Sequence, residues 1–489
     1  MAFASGKTGL HGGSQDSIGK QAETSTPSRR GLGRAGASRR DDKEQIRSMT
    51  LPGDTDAVDR SNAAAGLPGL LDELRWRGML HQASRGMAER LAKGPPIKGY
   101  NGFDPTGPSL HIGHLVPIFG LIRLQRAGGT PIVVVGGGTA MIGDPSGRSA
   151  ERLLLSRPTV EENIVGIQGQ LTRFLDFEGP NGAEVVDNYE WLSSYSLLRF
   201  LRDIGKHLTV PYMLAKDSVQ IRLDAGLSFT EFSYMLLQAA DFLHLYRAGG
   251  VELQMGGADQ WGNMTAGLEL IRKEFGAGDG QELAFALSYP LLTNESGAKF
   301  GKTAAGTSVW LDPARTSPFH FYQYWLDADD RDVGKYLRTF TLFDRARIAD
   351  LEARQAEHPE TRVAQKAIGY DLTARVHGDE AAKNAVRVSE AAFSKEPIRD
   401  PDLVESLFAE LDNFEFSAGD LSEGALRVAL ASGLYTSNGE ARRAIAQGGL
   451  AINDERVRAP QDTVPSLIGG RYLVVCGGKK SLRIGRLKI

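Results

Sequence analysis

Apolar positions first acquire a regular spacing at "LPGLLDELRWRGML" (67–80), where Leu70, Leu71, Leu74, Trp76 and Leu80 predict a short amphipathic helix. Residues 1–66 are rich in Gly, Ser, Ala and Arg with little periodicity, the composition of a disordered extension. "IKGYNGF" reads as a strand ending in a turn, and from His114 the spacing is helical until Gly128-Gly129. "TPIVVVGGGTA" is a buried strand, Pro131 to Val135, running into a glycine-rich turn. Strand, turn, helix, strand is the rhythm of an open parallel α/β sheet, whose ligands bind at the carboxyl ends of the strands. "VVDNYEWL" and "LQMGGADQWGNM" repeat the strand-to-loop transition, and between them "SFTEFSYMLLQAADFLHLYRAGG" predicts a long helix ending at Gly249. From Thr316 to about Phe393 the pattern is almost wholly helical, and residues 394–420 lose periodicity. The last stretch predicts two short helices and then strands such as "AINDERV" and "RYLVV". The expected organisation is therefore an extension over 1–66, an α/β domain over 67–312, a helical domain over 313–395, a linker over 396–422 and a small α+β unit over 423–489.

The length of 489 residues agrees with roughly three domains of ~150 residues. Hydrophobic residues make up 41% of the chain, enough for sizeable cores. The single cysteine, Cys476, excludes an internal disulfide framework and a Cys-rich zinc site, and fits a reducing compartment. No apolar run approaches the ~20 residues of a membrane span. The net charge of −3 hides an asymmetry: residues 423–489 carry eleven basic and five acidic side chains, while 49–422 carry 37 and 50. A compact basic terminus on an acidic body suits a polyanion partner, or is simply a solvated face. The N-terminal region has five Arg and no acid over 24–40, as in a transit peptide destined for the mitochondrial matrix. Asp16, Glu23 and the missing apolar face speak against that and for a cytoplasmic protein; Met49 is an alternative start.

Several motifs carry chemistry. "SLHIGH" places His111 and His114 three residues apart at a helix start, where backbone N–H groups attract anions and imidazoles can donate to phosphate. Gly113 between them lets a flat base approach the backbone. A metal pair is the alternative, but no obvious third ligand accompanies it. "GGGTAMIGDPSGRS" (136–149) fails as a dinucleotide fingerprint because Met141 stands where the third Gly belongs, and fails as a P-loop because Asp144-Pro145 follows Gly143. Asp144 there is either a turn residue or a partner for an ammonium group. Tyr234, Gln238 and Asp241 fall at i, i+4 and i+7, one helix face set among apolar residues, which makes them the wall of a polar pocket or a solvent-facing stripe. "GGADQWGN" offers close backbone approach at Gly256-Gly257, with Asp259, Gln260 and Asn263 able to bind hydroxyls. "SGAKFGKT" (296–303) lacks one residue of a P-loop, and no strand–loop–helix context surrounds it. Its Lys299, Lys302 and Thr303 could instead converge on a polyphosphate.

Taken in order, these segments resemble the class I aminoacyl-tRNA synthetases. "HIGH", His111 to His114, matches the first class signature, and "KFGKT", Lys299 to Thr303, is similar to the tyrosyl variant of the second, KMSKS. From about Leu70 to Leu311 the chain resembles bacterial-type tyrosyl-tRNA synthetases: "GFDPT", "GDPSG", "FTEFSYMLLQ", "GGADQWGN" and "KFGKT" recur in the family's order. The resemblance implies a Rossmann-like catalytic domain, an anticodon-side helical domain and a small basic RNA-binding module; residues 1–66 match nothing in it. It assigns Tyr100 and Asp241 to the tyrosine phenol, Asp144, Tyr234 and Gln238 to its ammonium, and Gln260 to the neighbourhood of its carboxylate. Thr106, His111 and His114 face ATP, with Gly113 beside the base and Gly257 and Asp259 at the ribose. Lys299, Lys302 and Thr303 hold the leaving pyrophosphate, and Arg148 and Arg152 match a mobile loop that also reaches it. Asn101 departs from the family's Cys at a ribose-contacting position. The implied partners are L-tyrosine, ATP with Mg²⁺ and tRNA(Tyr), with a homodimer, no membrane and no tightly bound cofactor.

This chemistry needs no general base, because the nucleophile is a carboxylate already ionised at pH 7. Positioning and donors where charge develops on the β,γ-phosphates suffice. Three rivals are a tryptophanyl-tRNA synthetase, which should lack the Tyr100–Asp241 pair, an H-x-G-H nucleotidylyltransferase, which needs no C-terminal domains, and a catalytically dead RNA-binding paralogue, against which the intact signature His and Lys residues speak.

Overall fold

A computed structural model of the chain describes residues 66–146, 154–223, 226–276, 278, 280–295, 300–301, 306–394, 396–478 and 481–488. Helix α1 (Gly66–Trp76) opens it, burying Leu67, Leu70, Leu71 and Leu74 at the spacing of one helical face. Strands β2 (Lys98–Phe103), β3 (Thr130–Val135), β4 (Glu184–Asp187), β5 (Val251–Gly257) and β6 (Phe285–Tyr289) run parallel, and the two-residue β1 (Gln82–Ala83) closes one edge antiparallel to β6. The order is β1-β6-β5-β2-β3-β4. Alternation explains why β3 is apolar from Pro131 to Val135. Val133 and Val135 enter one core with Leu115, Ile118 and Phe119 of α2 (Leu115–Arg126), and Ile132 and Val134 enter the other with Ala239, Phe242 and Leu243 of α4 (Phe229–Gly249). Helices α3 (Arg157–Leu171) and α5 (Trp261–Glu274) complete the layers. The chain leaves β2 toward β3 and β4, then returns on the other side through β5 and β6. The switch point lies at the carboxyl ends of β2 and β5, where a doubly wound sheet opens its crevice.

The helical expectation from Thr316 corresponds to α6 (Pro318–Leu326), α7 (Asp330–Phe340), α8 (Arg345–Glu357), α9 (Val363–His377) and α10 (Asp379–Phe393). Two buried arginines tie α7 to the α/β layers. Arg77 donates from Nη1 to the Arg338 and Thr341 carbonyls at 2.9 and 3.0 Å, and Arg123 donates from Nη2 to the Thr339 carbonyl at 2.9 Å. The last carbonyls of a helix have no partner within it, and these guanidinium groups supply one.

The stretch 396–422 differs from the expected linker. It forms α11 (Pro401–Glu410) and β7 (Asn413–Phe416), and β7 pairs in parallel with β11 (Ser481–Leu487) in a sheet of order β7-β11-β10-β8-β9. In that sheet β8 is Leu450–Ile452, β9 Glu455–Arg456 and β10 Tyr472–Gly477. One face packs on α12 (Ala425–Ala431) and α13 (Asn438–Ala446). The other packs through Tyr472, Val474 and Ile484 against Val404 and Leu407 of α11 and against Phe319 and Val388 of the helical domain. A four-residue strand whose partner lies some seventy positions later leaves too short a period to be read. Among the described residues, no helix is long and apolar enough to cross a membrane.

Candidate active site

Strand β2 carries Tyr100 on the face toward α4 and Asn101 on the opposite face. Tyr100 is buried with its ring edge-on to Phe242 at 5.4 Å, and its hydroxyl has no hydrogen-bond partner among the described residues. Burial, and then the nearby Asp241 charge, push this phenol well above its ordinary value, so it stays a neutral donor. Asn101 donates from Nδ2 to the Gly102 carbonyl at 3.3 Å, and its buried Oδ1 is likewise unpartnered.

The predicted face of α4 is inward rather than a solvent stripe: Tyr234 and Asp241 are buried and Gln238 is half-buried. Asp241 accepts at Oδ2 from Asn188 Nδ2 at 2.9 Å and at Oδ1 from Trp191 Nε1 at 2.7 Å. Burial outweighs those two donors and pushes its carboxyl up to about 8. About two turns earlier, the Tyr234 hydroxyl donates to Asp104 Oδ2 at 2.8 Å. Asp104 Oδ1 accepts from Thr139 Oγ1 at 2.7 Å, and Thr139 Oγ1 accepts from Asn188 Nδ2 at 3.0 Å. A continuous chain thus runs Tyr234–Asp104–Thr139–Asn188–Asp241 beneath the crevice. Across it, Gln260 Nε2 donates to Asp144 Oδ2 at 2.7 Å, and Asn263 Nδ2 donates to Gln238 Oε1 and Gln260 Oε1 at 3.0 and 3.1 Å. Asp144, Gln238 and Gln260 therefore meet in one network. Asp259 folds over Gly257, where an added Cβ would lie 2.5 Å from its Oδ1.

At the mouth, the two signature histidines are fixed by the backbone. His111 Nδ1 accepts from the Gly113 N–H at 3.1 Å, His114 Nδ1 accepts from the His111 N–H at 3.0 Å, and the rings lie 4.0 Å apart. An Nδ1 that accepts carries no proton, so both rings keep theirs on Nε2 when neutral. Burial, with neighbouring His111 adding to it, pushes His114 down to about 3. Gly113 is required locally, because a Cβ there would lie 2.8 Å from His111 Cε1. Thr106, five residues before His111, is exposed. Gly301 of "KFGKT" approaches this pair: its Cβ position, at φ +103°, is 3.6 Å from the Gly113 nitrogen. The Val309 N–H donates to the Gly301 carbonyl, and the Ile112 N–H donates to the Val309 carbonyl. Lys299, Lys302, Thr303, Arg148 and Arg152 lie outside the described residues.

Sequence reasoning gave no role to Asp104, Thr139, Asn188 and Trp191. All four stand within segments it singled out, Asp104 in "GFDPT" and Asn188 and Trp191 in "VVDNYEWL". A polar residue just past the carboxyl end of a parallel strand was the available signal.

A family model described as tRNA synthetases class I (W and Y) matches residues 92–394. The tyrosine–tRNA ligase of Porphyromonas gingivalis W83 is 48% identical over 427 residues, covering 84% of this chain and 98% of that one. The tyrosine–tRNA ligase of Anaeromyxobacter dehalogenans 2CP-1 is 46% identical over 429 residues, with 86% and 100% covered. That of Geobacillus stearothermophilus is 46% identical over 419 residues, with 84% and 98% covered. Among solved structures, a C-terminally truncated Aspergillus nidulans mitochondrial tyrosyl-tRNA synthetase superposes with a TM-score of 0.60 at 27% identity, covering 68% of this chain and 99% of that one.

Proposed function

Because this chain belongs to the class I tyrosine–tRNA ligases, we propose how its crevice performs the ligation, in which ATP drives the joining of tyrosine to tRNA. The observation that carries the reading is the floor of the crevice, where a buried Tyr100 hydroxyl without a partner stands near Asp241 held between Asn188 and Trp191. A tyrosine ring fills the apolar slot, its phenol O–H donates to Asp241, and its oxygen accepts from Tyr100. Phenylalanine leaves the buried Tyr100 hydroxyl without a partner and offers Asp241 no further donor, which is a strong basis for rejection; tyrosyl synthetases are the standing example of that principle. Tryptophan has no phenol to satisfy the pair either. The ammonium group of tyrosine lies among Asp144, Tyr234 and Gln238, and Gln260 is near its carboxylate.

ATP enters at Thr106, His111 and His114, with the base beside Gly113 and the ribose at Asn101, Gly257 and Asp259. The tyrosine carboxylate attacks the α-phosphorus, an oxygen–phosphorus bond forms, and the bond to the leaving pyrophosphate breaks. Two Nε2–H donors held in place by the backbone face the growing negative charge without reorganising, which is how preorganised donors accelerate such a step. The donors grouped there are nitrogens and N–H groups suited to phosphate oxygens, so Mg²⁺ fits as an ion that rides on the phosphates and offsets their charge. Lys299, Lys302 and Thr303 hold the pyrophosphate, joined by Arg148 and Arg152. In the second step the 3′-terminal adenosine of tRNA(Tyr) takes tyrosine from the adenylate, while the helical domain and the basic C-terminal module engage the tRNA.

Two copies work together in this reading. Leu197, Leu198, Val210, Ile221 and Phe229 come from one stretch of chain and are 71%, 80%, 57%, 71% and 75% exposed, surface that a second copy would cover. Charging belongs in the cytoplasm, where tRNA is used. ATP–pyrophosphate exchange with tyrosine, phenylalanine and tryptophan tests the reading. Tyrosine alone should support exchange, and well-folded protein without tyrosine-dependent exchange would refute it.

A further inference from the structure

The segment Pro105–Leu110 runs between Asp104 and His111 with prolines at 105 and 108, so it cannot form a regular hydrogen-bond ladder. Buried backbone groups still need partners, and one helix supplies them. On α3, Asn163 is 6% exposed and donates from Nδ2 to the Pro105 carbonyl at 2.9 Å. One turn on, Gly166 lies so close that an added Cβ would fall 2.2 Å from the Pro108 carbonyl oxygen. One turn further, Gln170 uses both ends of its amide: Oε1 accepts from the Leu110 N–H at 2.8 Å and Nε2 donates to Ser109 Oγ at 2.9 Å. Positions 163, 166 and 170 share a face. The apolar face beside it, Val160, Ile164, Ile167 and Leu171, is buried in the core with Leu110 and Ile112, so the helix cannot rotate away. Leu110 also links onward, because its carbonyl accepts from the Leu311 N–H at 2.9 Å.

We infer that Asn163, Gly166 and Gln170 are positioning residues for ATP: through the backbone of Pro105–Leu110 they set the places of Thr106 at one end and His111 at the other. None of the three touches substrate. This rests on the reading that Thr106, His111 and His114 meet ATP. The tyrosine-binding groups come from β2, the Asp144 turn and α4, so loosening this segment separates the two substrates.

The test uses the full chain carrying Gln170→Leu, Asn163→Ala or Gln170→Glu, with His114→Ala as the reporter of the ATP assignment. Leucine has room, because Gln170 borders a cavity of about 190 Å³ with Arg173, Phe174, Leu311, Pro313 and Val376. ATP–pyrophosphate exchange, equilibrium binding of tyrosine and thermal melting are measured on each. Gln170→Leu should lower kcat/KM for ATP about tenfold, as loss of a pair of buried hydrogen bonds would, with tyrosine affinity within about twofold and the melting temperature little changed. Gln170→Glu keeps the acceptor for the Leu110 N–H but loses the donor to Ser109 Oγ, whose own proton goes to the Leu110 carbonyl at 2.7 Å, and should recover about half of the loss on a logarithmic scale. If Gln170→Leu and Asn163→Ala leave ATP use intact while His114→Ala cripples it, α3 is only packing and the inference falls. If His114→Ala also leaves ATP use intact, the ATP assignment falls and the inference with it. Equal losses for tyrosine and ATP overturn it as well.

Discussion

Asp241 accepts one N–H at each carboxyl oxygen and still has lone pairs free for a phenol, yet burial holds it up to about 8. In the unfolded chain the same proton leaves near 3.8, so this group's contribution to stability declines as pH rises between those values. A phenol O–H donating to the carboxylate favours the ionised form, so binding tyrosine should release a proton below about pH 8. Tyrosine affinity should therefore rise from pH 7 to about 8 and level off above it, and Asp241→Asn should abolish that slope. Calorimetry in buffers of different ionisation heat reads the proton directly, and a flat profile for the parent protein would contradict the assignment. His114 behaves oppositely, because its neutral form is the stable one down to about 3. The unfolded chain binds that proton from about 6.5 downward, so His114 erodes stability as pH falls through this window. Tyr234, Gln238 and Asp241 were legible because helix periodicity alone puts them on one face. The relay through Asp104, Thr139 and Asn188 was not, because its members are brought together from three separate carboxyl-end loops.

Among the elements, the second signature is anchored from the helical domain. Phe300 is buried and stacks on Phe340 of α7 at 5.1 Å and 16°, with Tyr336 at 5.3 Å and Trp325 at 5.9 Å. Before it, the Glu295 N–H donates to Asp332 Oδ2 at 3.0 Å and Lys335 Nζ donates to the Thr293 carbonyl at 2.6 Å. Helix α7 thus holds both Phe300 and the chain entering the motif. Phe300→Ala removes a buried ring from a packed aromatic cluster and should cost about 3 kcal/mol or more of stability, seen as a lower urea midpoint, with Phe300→Leu recovering much of it. An unchanged midpoint for the alanine variant would show that the cluster does not carry this load. The sequence marks Lys299 and Lys302 as the chemical residues of the motif. It does not say that the phenylalanine between them belongs to the core of the next domain, because that depends on α7 packing beside the loop.

For the whole molecule, the sheet that includes β7 and β11 decides where the chain can be cut. A chain ending at Ser394 loses α11, β7 and the sheet together, and should keep tyrosine-dependent exchange while losing tRNA charging. A chain ending at Ser422 leaves β7 without β11 and exposes Phe414, Phe416, Val404 and Leu407, so it should melt lower or aggregate. Equal stability of the two would argue that β7 is not integral to the sheet. Phe229→Lys places a charge where a second copy would pack, and should shift sedimentation toward a monomer. A monomeric parent protein would remove the dimer from the reading. Local periods of two and of 3.6, and the two signature segments in order, are properties of neighbouring residues. The chain by itself therefore determined the parallel α/β sheet, the helical stretch after Thr316 and the common face of Tyr234, Gln238 and Asp241. Only the tertiary structure decided that "HIGH" and "KFGKT" adjoin through Gly113 and Gly301, that α3 holds the backbone of Pro105–Leu110, and that Asn413–Phe416 joins the last sheet. Each of these rests on backbone groups and buried polar atoms finding partners far along the chain, and no local pattern records which distant partner a group will find.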